Sequence, residues 1–365
     1  MSPLIGKRKE ELDTPVLLVD LDVMERNIAA MAAYMKRHGV AWRPHSKCHK
    51  TPAIVHLQIA AGALGVTCAK LSEAEVMAAS GIRDILIANM LVTPEKARRL
   101  AALRRSADPI AAIDSPEGAE VLGAAATEAG VTIRAVPEVD IGLDRVGVDP
   151  GLPALHLARK IADTRGLDLA GVMGYEGQTM MIPDAGEKER TIRAAIRLLT
   201  DTADLIRREG LPVPIVSASG TGTYQVAATC PGVTEMQAGG GVFMDRLYAD
   251  KSHVTGLGYA LTVLSTVVSR RRPGRAVVDA GFKTLSSQQG LPTPIGVEGA
   301  EVAYLSSEHG VLNLTGDAER LRVGDRIEFI PGYSDTTMFL HDEIVGTRDG
   351  RVEVVWEIQG RGKLL

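Results

Sequence analysis

The sequence predicts an α/β chain in which a (β/α)8 barrel is followed by a mostly antiparallel β domain. Up to about Asp245, short apolar runs alternate with longer stretches of helical period, which is typical of βαβ units around a parallel sheet. There are roughly eight such units, the number that closes a barrel. After about Thr255 the chain is rich in β-forming residues and in Gly, Asp and Pro turns, and it lacks long helical periods.

The predicted elements follow one another regularly. Val16–Asp20 (VLLVD) has the pattern of a buried first strand, and residues 23–37 repeat apolar side chains at helical spacing. We expect the barrel to cover residues 14–252 and the β domain residues 253–365, with segment 1–13 as a candidate addition to the β domain. Further barrel strands are predicted at residues 40–43, 65–68, 85–88, 109–113, 132–136, 169–173 and 214–217, and strands of the β domain at 261–269, 275–279, 302–305, 326–329 and 352–358.

Composition excludes several classes of protein. The 365 residues are 45% hydrophobic and 24% charged, as in globular proteins, and a net charge of −4 predicts no general attraction to nucleic acid or anionic membranes. The chain has no membrane-spanning run of about 18 apolar residues and no signal-peptide core at its start. The cysteines are too widely spaced for a disulfide framework or a zinc site, so we expect reduced thiols and a cytoplasmic location. They are Cys48, Cys68 and Cys230.

A basic turn follows the second predicted strand. Residues 44–50 read Pro-His-Ser-Lys-Cys-His-Lys, which places His45 and Lys47 in the mouth of the barrel, where such enzymes carry reactive groups. Partial burial and neighbouring cations there favour the neutral amine, a nucleophile that can form an imine. An ordinary basic surface loop has the same residues, so this turn alone does not decide between the two interpretations.

Two loops of small residues follow late barrel strands. Small residues let backbone N–H groups approach a phosphate, and hydroxyls add donors. Plain turns have a similar composition, but barrels often carry a phosphate site at this end. Because both loops and Lys47 fall at the same end of the barrel, they favour the reactive lysine over the surface loop. The candidate phosphate-binding residues are Ser219, Gly220, Thr221, Gly222, Thr223, Gly239, Gly240 and Gly241.

Two further groups of polar residues follow predicted strands. Arg145 and Tyr175 can contact a phenolate and an aromatic ring, although an ordinary salt bridge and a partly buried tyrosine fit them equally well. In the β domain, His309, Asp335 and His341 belong to a loose set of imidazoles and carboxylates that can bind a divalent metal or act in acid–base chemistry. Their spacing alone does not distinguish such a site from surface loops.

Together these motifs resemble the fold-type III pyridoxal-phosphate enzymes, in particular the group with D-threonine aldolase, D-3-hydroxyaspartate aldolase and D-serine dehydratase. The resemblance runs nearly from end to end, and its most specific part is the Arg-Pro-His-x-Lys-x-His-Lys signature at residues 43–50. The other motifs are Asp13-Thr14-Pro15, Glu138-Val139-Asp140-Ile141-Gly142, Ser219-Gly220-Thr221-Gly222-Thr223, Gln237-Ala238-Gly239, Phe243-Met244-Asp245, Asp279-Ala280-Gly281-Phe282-Lys283, Ser307-Glu308-His309-Gly310 and Leu340-His341-Asp342.

The resemblance implies a barrel of the alanine-racemase type with a C-terminal β domain, in a homodimer whose active sites are shared between subunits. It also implies that Lys47, rather than Lys50, forms a Schiff base with pyridoxal 5′-phosphate (PLP). The implied cofactor contacts are His45, Arg145 at the 3-oxygen, Tyr175 near the ring, and Ser219, Gly220, Thr221, Gly222, Thr223, Gly239, Gly240 and Gly241 around the phosphate.

Two positions depart from the relatives. The metal-dependent members carry Pro-x-His-x-Asp or Pro-x-His-x-Cys, whereas here Tyr333 replaces the His and Asp335 keeps the acidic position. A neutral phenol is a poor ligand near neutral pH. A divalent metal (Mn, Mg or Zn) at Asp335 would therefore be weakly held, held by other ligands, or absent. In addition, Glu176 stands where the aldolases carry the His of Tyr-His-Gly.

The function that these motifs imply is that of a PLP-dependent lyase acting on a β-hydroxy D-amino acid. Asp335 favours retro-aldol cleavage to glycine and an aldehyde over dehydration of D-serine or 3-hydroxyaspartate, with His309 and Asp335 as candidates for work on the β-hydroxyl. Tyr333 as a second base would instead suit a metal-independent racemase. A non-catalytic PLP carrier is the least favoured alternative, because such carriers are single barrels.

Overall fold

The computed structural model describes residues 2–365, which form two compact units: residues 31–239 with 362–365, and residues 2–30 with 240–361. The α-helices are α1 (Leu21–Arg37), α2 (Pro52–Ala60), α3 (Leu71–Ala79), α4 (Pro94–Leu103), α5 (Pro116–Ala129), α6 (Leu152–Asp163), α7 (Ala185–Arg208), α8 (Tyr224–Ala227), α9 (Phe282–Leu285) and α10 (Ser334–Met338). The strands are β1 (Val16–Asp20), β2 (Ala41–Trp42), β3 (Val66–Cys68), β4 (Asp84–Ile87), β5 (Asp108–Ile113), β6 (Ile133–Pro137), β7 (Leu167–Leu169), β8 (Gly171–Gly174), β9 (Ile215–Ala218), β10 (Glu235–Met236), β11 (Leu261–Arg272), β12 (Arg275–Val278), β13 (Thr293–Ile295), β14 (Ala300–Leu305), β15 (Gly310–Leu314), β16 (Arg326–Ile330), β17 (Glu343–Arg348) and β18 (Arg351–Glu357).

The unit built on residues 31–239 is a closed parallel barrel. Strands β3 to β7 pair in sequence, and β8, β9, β10 and β2 pair in that order, always in parallel. The two sheets join through parallel bridges between His45 and Thr67 and between Glu138 and Met173. Because β7 and β8 are one segment interrupted at Ala170, the barrel has eight strand positions, which confirms the predicted (β/α)8 fold.

The first predicted barrel strand lies elsewhere. Val16–Asp20 (β1) pairs antiparallel with β11 and parallel with β17, within a nine-stranded sheet of the other unit. Its run of buried apolar residues suits any central strand, so the pattern does not reveal which sheet it joins. The eighth barrel position belongs to Glu235–Met236 (β10), a two-residue strand too short for an apolar pattern. The boundaries at 14–252 and 253–365 remain a prediction.

The other unit is mostly antiparallel, as predicted for the C-terminal region. One hydrogen-bonded carboxylate ties its sheet to the start of the chain. Asp279 accepts hydrogen bonds from the Ser265 hydroxyl at 2.6 Å, the Thr266 N–H at 2.8 Å and the Thr14 hydroxyl at 2.6 Å. The Asp13-Thr14-Pro15 and Asp279-Ala280-Gly281 motifs therefore hold the sheet together. No helix among residues 2–365 has the length and apolar character needed to cross a bilayer.

A buried ion network lies at the amino-terminal ends of the barrel strands. Arg43, 1% exposed, contacts Glu235 at 3.0 Å and Asp84 at 2.9 Å. Arg134 contacts Asp84 at 2.7 Å and Asp108 at 2.8 Å. The three carboxylates each begin a strand, so the network closes the barrel on the face away from the loops where barrel enzymes carry chemistry. Arg43, the first residue of the signature, is part of the scaffold.

Replacing Arg43 with methionine is expected to destabilise the barrel by about 3–5 kcal/mol, because it leaves Glu235 buried without its partner. Urea unfolding followed by fluorescence measures the change. The control is Arg159→Met, which removes an exposed pair with Glu209 and should cost under about 1 kcal/mol. Equal effects of the two substitutions would contradict a structural role for the buried network.

Candidate active site

Lys47 lies on a 3-10 turn, Ser46–Cys48, that follows β2 at the carboxyl end of the barrel. His45 caps this turn, since its Nδ1 accepts a hydrogen bond from the Lys47 backbone N–H at 3.3 Å. Ser46 and Cys48 are buried on either side, whereas Lys47 is half-buried. The turn thus leaves part of the Lys47 side chain accessible at the predicted position.

Positive charge collects around this turn. Burial, reinforced by the charges of Lys47, Lys50, His49 and Arg145, holds the pKa of His45 well below its usual value. His45 is therefore a neutral imidazole near neutral pH, and its Nδ1 serves as an acceptor. The surrounding cations make this end of the barrel suited to an anionic ligand.

The predicted phosphate loop connects β9 to α8 at the same face of the barrel. Ser219 has a left-handed backbone (φ 73°), and its hydroxyl lies 2.8 Å from the Thr223 hydroxyl. The Gly220 N–H donates to the Thr223 hydroxyl at 3.3 Å, and the Gly220 carbonyl accepts from the Tyr224 N–H at 3.1 Å. These bonds fold the loop into a compact turn rich in hydroxyls and small residues.

The structure brings Tyr175 to this loop and Arg145 to Tyr175. The Arg145 guanidinium carbon lies 5.6 Å from the centre of the Tyr175 ring, and Arg145 Nη2 is 3.6 Å from a carboxyl oxygen of Glu138. A Cβ atom on Gly220 would lie 3.1 Å from the Tyr175 ring. Glycine at position 220 therefore lets the loop approach the ring closely.

Gly239 has a different reason to be glycine. A Cβ atom there would lie 2.1 Å from the His45 carbonyl oxygen, so only glycine lets the loop after β10 pack against the Lys47 turn. Gly240 and Gly241 begin a buried 3-10 turn that belongs to the other compact unit. In that unit, a Cβ on Gly240 would lie 2.6 Å from the Tyr248 ring.

Glu176 is a buried acid close to the phosphate loop. Its side chain is fully buried, and burial raises its pKa, although the hydroxyls of Thr223 and Ser219 act in the opposite direction. The sequence marks Glu176 only as a departure from the aldolases. Its burial and its position beside the loop emerge only in the folded chain.

In the other unit, Tyr333 and Asp335 form a pair. The Tyr333 hydroxyl donates to Asp335 Oδ2 at 2.7 Å. Burial, with the negative charge of Asp335, raises the pKa of Tyr333, so the phenol keeps its proton. Asp245, from the Phe243-Met244-Asp245 motif, accepts from the Ser334 N–H and hydroxyl, both at 2.8 Å, and holds α10 in place. Burial raises the pKa of Asp245 to about 7.

His309 is not brought to this pair within the described chain. It lies exposed in the turn between β14 and β15, and no hydrogen bond among residues 2–365 joins it to Tyr333 or Asp335. A Cβ on Gly281 would lie 2.4 Å from the backbone nitrogen of His309, so the Asp279-Ala280-Gly281 and Glu308-His309-Gly310 motifs pack on each other. Among residues 2–365, the hydrogen-bond partner of the His341 ring is a backbone group and not a carboxylate. Its Nε2 lies 2.9 Å from the Thr284 carbonyl oxygen.

Comparison with known proteins places these features in a family. Residues 19–246 match the family described as "Alanine racemase, N-terminal domain", and residues 260–347 match the "Putative serine dehydratase domain". The chain is 36% identical to the D-threonine aldolase of an Arthrobacter species, over 98% of this chain and 95% of that protein. It is 35% identical to the 3-hydroxy-D-aspartate aldolase of Paracoccus denitrificans (strain Pd 1222), over 99% and 95%.

The chain belongs to the alanine racemase N-terminal domain family. The solved structure of D-threonine aldolase from Filomicrobium marinum supports the assignment, with a TM-score of 0.96 and 36% identity over 99% of both chains. The D-threo-3-hydroxyaspartate dehydratase of Delftia sp. HT23 is a more distant match, with a TM-score of 0.87 and 29% identity over 96% of this chain and 98% of that one. These relatives confirm the resemblance drawn from the sequence.

The barrel residues fit PLP, the cofactor of this family. Lys47 is a partly accessible amine, and Arg145 adds positive charge for an anionic ligand. The loop from Ser219 to Thr223 offers hydroxyls and a glycine that leaves no side chain between loop and Tyr175 ring. An amine, positive charge and a loop of small residues are the groups that bind a phosphorylated aldehyde.

The donor set of the second unit does not fit a divalent-metal site of the family. Tyr333 stands in place of the histidine, and its hydroxyl proton occupies Asp335 Oδ2. A protonated phenol is a poor metal ligand. Within residues 2–365, no three His, Cys, Asp or Glu side chains are grouped so that they could hold a metal ion.

Gly239→Ala is expected to weaken PLP binding by about tenfold or more, because its methyl group would displace the His45 carbonyl and with it the turn that carries Lys47. Equilibrium dialysis or absorbance titration of the variant measures the affinity. Gly186→Ala is the control, since a Cβ there meets its neighbours only at 3.4 Å. Unchanged PLP affinity in Gly239→Ala would show that the close approach to His45 is unimportant for the site.

Proposed function

We propose that this protein is a PLP-dependent lyase that cleaves a β-hydroxy D-amino acid to glycine and an aldehyde. The observation that supports this most is the placement of Lys47 and of the Ser219–Thr223 loop at the carboxyl ends of two strands of one closed barrel. The near full-length similarity to D-threonine aldolase and 3-hydroxy-D-aspartate aldolase supports the reaction and the substrate class.

In this proposal the barrel residues bind and orient the cofactor. Lys47 would attach it through the side-chain amine, the Ser219–Thr223 loop with Gly239, Gly240 and Gly241 would hold its phosphate, and Arg145 would face its 3-oxygen. Tyr175 packs near its ring, and neutral His45 supports the turn. When bound, PLP withdraws electrons from the substrate carbon that loses its bond.

The β-hydroxyl proton needs an acceptor, because retro-aldol cleavage converts that hydroxyl to a carbonyl. We propose that the Tyr333–Asp335 pair fills this role in place of a metal. Asp335 takes up the proton, and the Tyr333 hydroxyl holds the carboxylate in position through its hydrogen bond. Asp245 positions the pair through its two hydrogen bonds to Ser334.

Two alternatives have specific support. The chain is 32% identical to the D-threo-3-hydroxyaspartate dehydratase of Delftia sp. (strain HT23), over 89% of this chain and 92% of that protein, which favours a dehydratase as the second candidate. Tyr333 as a second base would support a racemase. A PLP carrier without activity is the weakest alternative, because the second unit holds an ordered polar pair that a carrier does not need.

We also propose that the protein acts as a cytoplasmic homodimer with shared active sites. The exposed apolar side chains Phe282 and Phe339, 49% and 45% accessible, lie on or beside α9 and α10 and suit burial against a second copy. His309, exposed in a single chain, would then be available to the partner's site. The three cysteines are buried and form no disulfide among residues 2–365, as in reducing compartments.

Wild-type protein loaded with PLP is expected to be yellow, and borohydride reduction should fix one cofactor to Lys47 and bleach the visible band. Lys47→Ala should show neither the band nor the fixed cofactor, because the attaching amine is missing. Peptide mass spectrometry locates the adduct. The control is Lys36→Ala on the exposed face of α1, which should behave as wild type. A wild type that stays colourless with PLP and gains no borohydride-fixed cofactor would contradict the role of Lys47.

Products from D-threonine, D-serine and D-3-hydroxyaspartate distinguish the candidate reactions. We expect glycine and an aldehyde; a keto acid with ammonia would indicate a dehydratase, and the opposite enantiomer a racemase. We further expect EDTA to leave the activity unchanged and Asp335→Asn to lower it about 10²–10⁴-fold, the usual contribution of acid–base catalysis.

Tyr333→His tests the replacement of the metal directly. This variant restores an imidazole beside Asp335, so its activity should become dependent on added Mn²⁺ and sensitive to EDTA. EDTA-sensitive activity in the wild type would overturn the proposed metal-free pair.

A further inference from the structure

The buried carboxylate of Glu73 lies behind the turn that carries Lys47. Glu73 belongs to the first turn of α3 and is fully buried. Its Oε1 accepts a hydrogen bond from the Ser46 hydroxyl at 2.9 Å, and its Oε2 accepts one from the Ala69 N–H at 2.9 Å. A carboxylate so deeply placed needs both hydrogen bonds and a counter-charge.

Lys50 supplies that counter-charge. Its Nζ lies 3.8 Å from Glu73 Oε2, and the residue is only 8% exposed. Its backbone adopts a left-handed conformation (φ 50°) that turns the chain back after the signature, and its N–H donates to the Ser46 carbonyl at 2.6 Å. Ser46 and Lys50, on either side of Lys47, are thus both anchored to the same carboxylate.

We infer that Glu73 is a positioning residue for Lys47: it anchors the Lys47 turn through Ser46 and neutralises Lys50. This inference rests on the proposed role of Lys47. A fully charged Lys50 without Glu73 would lie three residues from Lys47, at most about 10 Å along the backbone. With Glu73 in place, the Lys50 charge is paired and the Ser46 hydroxyl fixes the turn from which the Lys47 side chain extends.

The other charged groups around this network are few. Glu73 and Lys50 both face the buried Cys68 thiol, whose pKa burial and the Glu73 charge raise well above its usual value. Around the Lys47 turn lie His45, His49 and Arg145. Burial lowers the pKa of His49 to about 3, so it stays neutral, and Arg145 is exposed to solvent. Lys50 and Glu73 are therefore a buried, oppositely charged pair that contacts the Lys47 turn.

The test measures how fast the Lys47 amine reacts with acetic anhydride at fixed pH. The full chain, with PLP removed, is labelled, and mass spectrometry compares the Lys47 peptide with the peptide of exposed Lys36. In Glu73→Gln an uncompensated Lys50 charge should raise the neutral fraction of the Lys47 amine, so that labelling is about tenfold faster. In Lys50→Met the uncompensated carboxylate should slow labelling by about the same factor.

Opposite shifts in the two variants are a signature that loss of structure does not produce. The double variant Glu73→Gln/Lys50→Met should return to within about twofold of wild type, since neither charge remains. Glu75→Gln is the matched control: it removes a charge from the same helix, where Glu75 pairs with Arg99 at 2.7 Å near the surface, and should leave Lys47 labelling unchanged.

Unchanged labelling, or shifts in the same direction in Glu73→Gln and Lys50→Met, would overturn the inference. If Glu73→Gln does not fold, Lys50→Met alone decides, because slower labelling supports the inference and an unchanged rate refutes it. The labelling is done without cofactor, so its outcome is independent of turnover. A wild type that forms no borohydride-fixed adduct would instead refute the proposed function and leave the labelling result unaffected.

Discussion

Closure of the barrel between its last and first strands is the constraint on which the rest of the structure depends. Strands β10 and β2 have two residues each, so their parallel pairing offers few hydrogen bonds. The buried ion pair between Arg43 and Glu235 joins the same two strands on the amino-terminal side. The Lys47 turn and the loop at Gly239 begin where this seam ends, and their close contact requires glycine. The end of the barrel that carries the Lys47 turn is therefore only as well ordered as the pairing of β2 with β10.

The signature from Arg43 to Lys50 meets three structural requirements within eight residues. Arg43 points into the ion network at the amino-terminal face, and Lys50 is bound by buried Glu73. Only His45 and Lys47 remain for the cofactor end. The motif is specific because one short segment must pair Arg43 with Glu235, pair Lys50 with the buried Glu73 and leave the Lys47 amine accessible. Few sequences meet all three requirements.

The second unit shows where this chain departs from its relatives. A histidine that would ligate a metal is replaced by Tyr333, and the phenol binds Asp335 through its own proton. The phenol hydrogen bond satisfies Asp335 Oδ2, while Asp245 fixes the helix that presents the pair. In the proposed function, cofactor attachment and proton transfer from the β-hydroxyl therefore depend on different parts of the chain, so one can be retained while the other changes.

The sequence by itself determined the barrel class and the β domain, because hydrophobic period is a property of neighbouring residues. Its local motifs also predict Lys47 as the cofactor lysine and residues 219–223 as the phosphate loop, and these roles stay predictions. It did not determine which sheet Val16–Asp20 joins or that Glu235–Met236 completes the barrel, since an apolar run fits any buried strand and a two-residue strand has no pattern. The partners of Lys50 and Tyr333, and the exposure of His309, were decided only by the tertiary structure. Lys50 and Glu73 lie on separate segments, and spacing along the chain does not give the distance between them in the fold. Tyr333 and Asp335 are two residues apart, but their hydrogen bond depends on the side-chain conformations that the fold imposes.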